Sequence, residues 1–275
     1  MYRSCKSGMS SRGRNMNEEK LVIIDKVTKV FKKNLFFRAE LDVVAIDGIS
    51  LSIKKGEILG IMGESGCGKT TLGKLILGLL KPSSGNIHFA DISNNASGTR
   101  KPAVQVIFQD PYDSFSHLMT IGGIVAEPCI IKHGKAYDKV KVCKALESVG
   151  LTPADEFLNK YPHILSGGQR QRVAIARAIV TEPDLIIADE PISMLDASIG
   201  VDILNLILDM NEKKGITFLF ITHDIAAASY ICDNIAVMKA GKVVEYGTRK
   251  QIIADCRHEY TCSLLSAARG ENMKM

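Results

Sequence analysis

Two hydrophobic patterns alternate along this chain. Short apolar runs that end in glycine or acidic residues are typical of strands buried on both faces, and apolar residues at every third or fourth position are typical of helices. The predicted strands are LVIIDKVTKVF, VVAIDGISLSI, EILGIMG, NIHFA, VQVIFQ, DLIIAD and ITFLFI, followed by the hairpin IAVMKAGKVVEYG. The predicted helices are KTTLGKLILGLL, residues 169–181, residues 197–214 and a short helix before the hairpin. Strands that alternate with helices in this order indicate a mostly parallel sheet with helices on both faces.

The pattern changes in the middle of the chain, where no strand is predicted. The stretch AYDKVKVCKALESVG has helical spacing and ends in glycine, so we expect an inserted helical subdomain over about 112–168. The polar stretch DISNNASGTRKP, between NIHFA and VQVIFQ, is predicted to be a loop. The main domain is therefore expected over 21–250, with a disordered tail over 1–20 and a short helical extension over 251–275.

Composition narrows the class of protein. With 275 residues, 46% of them hydrophobic, the chain can bury a large core, and its longest apolar runs are far shorter than the about 20 residues that span a membrane. The net charge is +5, and residues 1–20 carry +3 of it, with five Lys or Arg and two Glu. These residues contain no apolar segment typical of a secretory signal. The remainder is nearly neutral, which argues against a nucleic-acid partner.

Cysteine usage gives a prediction about the redox environment. The seven cysteines are scattered and form no CxxC pair. This spacing argues against a zinc site and against a disulfide framework. The sequence therefore predicts reduced thiols in the cytosol.

The stretch GESGCGKTT follows a predicted strand and precedes a predicted helix. Its first eight residues fit the phosphate-loop pattern G-x-x-x-x-G-K-[ST] in the context that the pattern requires, and a chance glycine-rich turn is the alternative. Glycines let successive backbone amides point inward, and the helix N-terminus adds partial positive charge. Lys69 is expected to reach the β- and γ-phosphates, and Thr70 to place its hydroxyl on Mg²⁺. The predicted nucleotide-binding residues of this loop are Gly63, Glu64, Ser65, Gly66, Cys67, Gly68, Lys69, Thr70 and Thr71.

Two carboxylates stand at the end of the predicted strand DLIIAD. Asp189 is a candidate oxygen ligand for Mg²⁺, and Glu190 is a candidate general base that polarises an attacking water. Hydrolysis of a γ-phosphate needs both roles. Acidic residues after a strand are also commonly solvated caps, which is the alternative for this pair.

The stretch LSGGQRQRVAIARA, residues 165–178, places a serine and two glycines before a basic helix, an anion site without a lysine or metal ligand. With the phosphate loop and DLIIADE in this order, it resembles the signature of ATP-binding-cassette ATPases over about 21–250. The resemblance implies an α/β fold: a P-loop NTPase (RecA-like) core with a mostly parallel sheet, an antiparallel β subdomain and an inserted α-helical subdomain. It also implies head-to-tail dimers in which the signature of one chain closes over the ATP of the other. The signature residues are Ser166, Gly167, Gly168 and Gln169.

Three further positions match motifs of this family. Gln109 in FQDP lies where the family's Q-loop glutamine reaches Mg²⁺ and the attacking water, and His223 in ITHD lies where the switch histidine contacts the γ-phosphate. A histidine at a strand end is otherwise commonly structural. Phe31 occupies the position of the aromatic residue that stacks on adenine, with a core role or a replacement by Phe36 or Phe37 as alternatives.

The D-loop of this chain departs from the family pattern. Asp196 in SMLD matches the aspartate that communicates between the two sites, but Ile192 and Met194 replace the usual threonine and alanine. Neither change removes a catalytic group. Because Glu190 and His223 are both present, the resemblance implies a hydrolytically competent site that uses ATP and Mg²⁺.

Three stretches resemble the peptide/nickel importer subfamily: VIFQDPYDSF, MTIGGIVAEP and the C-terminal HEYTCSLLSAA, in which Glu259 replaces a usual proline. The resemblance implies a peripheral ATPase at the cytoplasmic face of the membrane, with two permease subunits and an extracytoplasmic substrate-binding protein. It favours pairing with a second, different ATPase subunit, and a homodimer is the alternative. A non-transport ATPase and a regulatory cassette with weak hydrolysis are the competing interpretations.

Overall fold

The computed structural model describes residues 19–35, 38–94, 98–134 and 138–269. The strands are β1 (Lys20–Leu35), β2 (Arg38–Lys54), β3 (Ile58–Met62), β4 (Ser84–Phe89), β5 (Ile92–Asn94), β6 (Gly98–Arg100), β7 (Val104–Ile107), β8 (Leu185–Asp189), β9 (Thr217–Thr222), β10 (Asn234–Lys239) and β11 (Lys242–Thr248). The helices are α1 (Lys69–Ile76), α2 (Pro111–Ser114), α3 (Ile121–His133), α4 (Lys139–Ser148), α5 (Asp155–Leu158), α6 (Gly167–Ile179), α7 (Ala197–Lys214), α8 (Ile225–Ile231), α9 (Arg249–Ala254) and α10 (Glu259–Arg269), with a 3₁₀ turn over Pro162–Ile164. Within these ranges no helix is both long and apolar enough to cross a membrane.

The central sheet has six strands in the order β11-β10-β3-β9-β8-β7. The four pairs from β10 to β7 are parallel, and β10 and β11 form an antiparallel hairpin. Strands β3, β8 and β9 are buried along their whole length, as expected of strands covered on both faces. The predicted mostly parallel sheet is therefore confirmed.

Alternate residues of the buried strands face two different layers, because successive side chains of a strand point to opposite faces. In β9, Phe218 and Phe220 pack into a core shared with α6, α7, α8 and the inserted helices. Leu219 and Ile221 pack into a second core with α1 and an antiparallel sheet of order β2-β1-β4. The predicted α/β class with an antiparallel β subdomain is confirmed.

The inserted helices α2 to α5 lie between β7 and α6 in the chain. Helix α3 begins where the Thr120 hydroxyl accepts a hydrogen bond from the Gly123 amide, and it ends at Gly134 with a φ of 58°. Ile124 and Val125 bury one of its faces in the core that α6 shares. The apolar pattern does not single out α3, because IGGIVAEPCIIKH carries apolar residues on nearly every side. Helix α4 lies inside the helix that periodicity predicts.

Two local predictions are wrong. The stretch predicted as a loop between β4 and β7 contains the short hairpin β5–β6, in which Ile92 pairs with Arg100. Lys20, assigned to the tail, starts β1 and pairs with Lys54. In both cases the strand is made by pairing with a second segment, which periodicity within one segment does not report. Residues 1–18 lie outside the described residues.

The prediction of reduced cysteines is wrong for one pair. Cys256 and Cys262 form a disulfide across the turn that leads into α10, with their Cα atoms 5.6 Å apart. Chain folding at this turn brings the two thiols together, and their spacing of six residues matches no motif. Cys67, Cys129, Cys143 and Cys232 are free, as predicted.

Candidate nucleotide site

The phosphate loop joins β3 to α1 and lies against two other segments of the chain. Gly63 has a φ of 152° and Gly68 a φ of 108°, conformations that residues with a Cβ rarely adopt. A Cβ on Gly63 would overlap the Met238 carbonyl oxygen at the end of β10, and one on Gly68 would overlap the Ala45 carbonyl oxygen in β2. The loop therefore needs glycine at both positions to approach the backbone this closely.

Lys69, the first residue of α1, folds its side chain back over the loop. Its ammonium donates hydrogen bonds to the carbonyl oxygens of Gly63 and Glu64, both at 2.8 Å. The residue is only 5% exposed. The structure thus holds a positive charge inside the curve of the loop, where phosphate oxygens would need it.

Asp189, the last residue of β8, is positioned beside the start of α1. It is 8% exposed and its Oδ1 atom has no hydrogen-bond partner in the described structure. Burial raises the pKa of this carboxyl, and the hydrogen bond from the Thr70 hydroxyl opposes the rise. A buried carboxylate oxygen without a partner beside a threonine hydroxyl fits a hard divalent cation such as Mg²⁺. Among the described residues there is no cluster of three His, Cys, Asp or Glu, so the remaining ligands would come from hydroxyl, amide, water or phosphate oxygens.

Glu190 lies at the meeting point of three neighbouring strand ends. Its Oε2 atom accepts a hydrogen bond from Gln109 Nε2 at 3.2 Å, and its Oε1 atom lies 3.0 Å from His223 Nδ1. The three residues follow β8, β7 and β9, which are adjacent and parallel, so their carboxyl ends lie at the same edge of the sheet. The structure brings together all three predicted catalytic residues.

A cleft of about 600 Å³ opens at this edge of the sheet. Thr70, Gln109 and Asp189 border it, together with Lys74 from α1 and Met194. None of the four signature residues lines it in the described structure. The cleft therefore holds the predicted metal ligands but not the signature.

The signature residues form the start of α6. The Ser166 hydroxyl accepts a hydrogen bond from the Gln169 amide at 3.2 Å, and the Gln169 side chain accepts one from the Ser166 amide at 3.1 Å. Gly168 lies against Ile199 of α7, so that a Cβ there would sit 2.7 Å from the Ile199 Cγ2 atom. Gly167 begins the helix. This reciprocal cap fixes the geometry of a surface-exposed helix N-terminus.

Two predicted residues lie apart from the phosphate loop in the contacts that the structure describes. Phe31 lies on β1 opposite Val43, is 40% exposed, and has the Lys29 ammonium 5.2 Å from its ring centroid. Asp196 occupies the N-cap position of α7 without a side-chain capping hydrogen bond, and it borders a cleft of about 750 Å³ that also includes Glu190 and His223. The rival positions Phe36 and Phe37 lie outside the described residues.

One residue in contact with the loop was not among the predicted site residues. The Tyr260 hydroxyl, on α10, accepts a hydrogen bond from the Glu64 amide at 3.2 Å. The two residues are 196 positions apart in the sequence. The motif HEYTCSLLSAA contains this tyrosine, but nothing in the motif indicates which part of the chain it contacts.

Comparisons with known proteins agree on one family. The family model described as "ABC transporter" matches residues 46–193. The dipeptide transport ATP-binding protein DppF of Haemophilus influenzae is 40% identical over 243 residues, which is 86% of this chain and 73% of that protein. The oligopeptide transport ATP-binding protein AppF of Bacillus subtilis is 42% identical over 261 residues, 91% of this chain and 79% of that protein. Among solved structures, the dimeric ATP-binding cassette MJ0796 bound to ADP and Pi is similar at 33% identity, with a TM-score of 0.71 over 83% of this chain and 99% of that one.

Proposed function

The chain belongs to the ABC transporter family, and from that premise we propose that it is the ATP-hydrolysing subunit of an importer that takes up peptides. The relatives DppF and AppF are named as dipeptide and oligopeptide transport proteins, which favours peptides over nickel as the cargo. One observation carries the hydrolytic role. The Glu190 carboxylate is held between His223 and Gln109 at the sheet edge that carries Asp189.

The phosphate loop binds the nucleotide in this proposal. The backbone amides of residues 63–71 and the Lys69 ammonium hold the phosphates, and Phe31 stacks on the adenine. Mg²⁺, when bound, would supply positive charge beside the phosphate oxygens. Thr70, Asp189 and Gln109 would hold it, which accounts for the unpartnered Oδ1 of Asp189.

Hydrolysis follows from the position of Glu190. As general base, its carboxylate orients a water and accepts one proton from it, while the water oxygen bonds to the γ-phosphorus and the bond to the ADP oxygen breaks. Gln109 and His223 fix the carboxylate by their contacts at 3.2 and 3.0 Å. The His223 side chain is 61% exposed, so a bound γ-phosphate can contact it.

A second cassette completes the site. The signature residues Ser166, Gly168 and Gln169 contact the nucleotide of the partner, and Asp196 communicates between the two sites. Two facts support this division: the signature does not line the cleft beside Thr70 and Asp189, and the similar cassette MJ0796 is described as dimeric. We favour a heterodimer with a second ATPase subunit over a homodimer.

The dimer works with membrane subunits. Closure on ATP and opening after hydrolysis are transmitted through the inserted helices to two permease subunits, since a nucleotide drives motion only through its different affinity for the two states. The chain therefore lies at the cytoplasmic face of the membrane, and an extracytoplasmic substrate-binding protein delivers the peptide.

The variant Glu190→Gln tests hydrolysis. It keeps the size and shape of the side chain but removes the base, so turnover is expected to fall at least about 100-fold while MgATP still binds. Glu182→Gln is the matched control, because Glu182 is exposed and pairs with Lys141 away from the site. Turnover near the wild-type value in Glu190→Gln would contradict the assignment of the base.

Peptide import is tested in proteoliposomes that hold the complete transporter. Labelled dipeptides or oligopeptides are expected to accumulate only with ATP, and not with the Glu190→Gln chain. Uptake of nickel without peptide uptake would contradict the proposed cargo. ATP hydrolysis without any association with membrane subunits would favour the non-transport interpretation.

A further inference from the structure

The phosphate loop contacts the C-terminal helix α10 through one hydrogen bond. Tyr260, in the first turn of α10, is 8% exposed, and its hydroxyl accepts the Glu64 amide hydrogen at an N···O distance of 3.2 Å. The Lys239 ammonium lies 4.6 Å from the centroid of the Tyr260 ring, so a cation–π contact holds the ring from the side of β10. A segment near the C-terminus thus reaches directly into the nucleotide site.

The hydrogen bond acts on a peptide group that is also held at its other end. The Gly63 carbonyl and the Glu64 amide belong to the same peptide unit. The carbonyl accepts the Lys69 ammonium at 2.8 Å and the amide donates to Tyr260 at 3.2 Å. Because a peptide unit is planar, fixing both ends fixes its orientation. Rotation of this unit would turn the Gly63 carbonyl away from Lys69 and remove one of the two carbonyl hydrogen bonds that hold the ammonium in the loop.

The tyrosine is itself held by a rigid turn. The Glu245 carboxylate of β11 accepts hydrogen bonds from the amides of Arg257 and His258, at 2.8 and 3.2 Å. His258 Nδ1 then accepts the Tyr260 amide at 3.1 Å. The Cys256–Cys262 disulfide encloses the same turn. The position of the phenol is therefore set by β11 and the turn, independently of the loop.

We propose that Tyr260 is a positioning residue for nucleotide binding: it fixes the Gly63–Glu64 peptide so that the Lys69 ammonium stays directed at the phosphates. The inference deepens the proposed function and rests on it, since it concerns the same ATP site. It gives the C-terminal extension a role in that site. Tyr260 acts through the loop and touches no reacting atom.

The variant Tyr260→Phe tests the proposal, because it keeps the ring and removes only the hydroxyl. In the full chain we expect the Kd for MgATP to rise about threefold to tenfold, the range for loss of one neutral hydrogen bond. Hydrogen exchange of the Glu64 amide in the nucleotide-free chain should accelerate by a similar factor. Tyr246→Phe, which removes a hydroxyl from the half-exposed tyrosine of β11, is the matched control and should change neither value.

The readouts separate positioning from a merely structural role. A structural role would lower the thermal midpoint of the nucleotide-free and MgATP-bound forms equally and leave the Kd unchanged. An unchanged Kd for MgATP in Tyr260→Phe would overturn the inference, and unchanged hydrogen exchange of the Glu64 amide would show that the hydroxyl does not hold the loop. The variant Lys69→Ala separates a failure of the proposed function from a failure of the role given to Tyr260. If the wild-type chain bound MgATP no better than Lys69→Ala, the proposed function would fall, whereas the Glu64 exchange rate would still decide whether Tyr260 holds the loop.

Discussion

Replacing Gly63 by alanine should disable the nucleotide site more than it destabilises the fold. The added Cβ would overlap the Met238 carbonyl oxygen by about 1 Å relative to ordinary packing and would also lie 2.9 Å from Cys67 Sγ. Met238 cannot yield easily, because it lies in β10, which pairs with β3 and β11. The loop must therefore move, and a shift of about 1 Å takes the Gly63 carbonyl beyond hydrogen-bond distance of the Lys69 ammonium.

Two magnitudes follow from this displacement. Loss of a hydrogen bond to a charged group is worth about 1.5–3 kcal/mol, so the Kd for MgATP should rise about 10- to 100-fold. The free energy of unfolding should fall by about 1–3 kcal/mol for an alanine held at a φ of 152° and by a further 1–3 kcal/mol for the forced contact. Isothermal titration calorimetry with MgATP and urea unfolding of the full chain measure these two quantities.

Gly78→Ala is the matched control for this prediction. Gly78 has a φ of 75° and no atom within 4 Å of the added Cβ, so its alanine variant carries the strain of a positive φ without any collision. We expect the free energy of unfolding of this variant to fall only by the strain energy, about 1–2 kcal/mol. Its affinity for MgATP should equal that of the wild type. Equal MgATP affinities for the two alanine variants would refute the argument that close approach to β10 sets the geometry of the loop.

Three further predictions concern other parts of the chain. Asp189→Asn should abolish Mg²⁺-dependent ATP binding. The same variant should raise the free energy of unfolding of the nucleotide-free chain at pH 7.5, on the order of 1 kcal/mol. The reason is that burial disfavours the charged carboxylate and so raises its pKa. A raised pKa means that the carboxyl contributes stability below its unfolded pKa, near 4, and that this contribution is lost as pH rises through the folded pKa. Ser166→Arg should block ATP-driven dimerisation, measured by gel filtration, and leave the Kd of the monomer for MgATP unchanged. Glu127→Gln should lower the free energy of unfolding by about 1–3 kcal/mol, because it breaks the 2.6 Å ion pair of α3 with Arg177 of α6.

Each of these predictions has an outcome that would contradict it. The difference in the free energy of unfolding between Asp189→Asn and the wild type, measured by urea unfolding, should change from pH 4.5 to 7.5. A constant difference would show that burial of the carboxylate does not set its contribution to stability. Weakened MgATP binding in monomeric Ser166→Arg would place the signature in its own chain's nucleotide site. For the α3–α6 ion pair, the exposed pair Lys213–Asp209 provides the comparison, and Asp209→Asn should cost no more than about 0.5 kcal/mol.

Motifs that act through neighbouring residues were predictable from the order of amino acids alone. The phosphate loop, the acidic end of β8 and the cap of α6 depend on backbone geometry within eight or nine residues, so the residue types at fixed spacing are sufficient to indicate them. The alternation of apolar runs likewise predicts β3, β8 and β9, because burial on both faces leaves no room for polar side chains.

Contacts between distant segments were decided only by the tertiary structure. Gln109, Glu190 and His223 are separated by tens of residues and meet because β7, β8 and β9 are adjacent and parallel. The Tyr260 contact with Glu64, the hairpin β5–β6 and the Cys256–Cys262 disulfide likewise depend on how the chain returns on itself. A local pattern of apolar residues shows which face of a helix or strand is apolar. It does not show which other segment will cover that face, since that choice depends on the packing of the whole core.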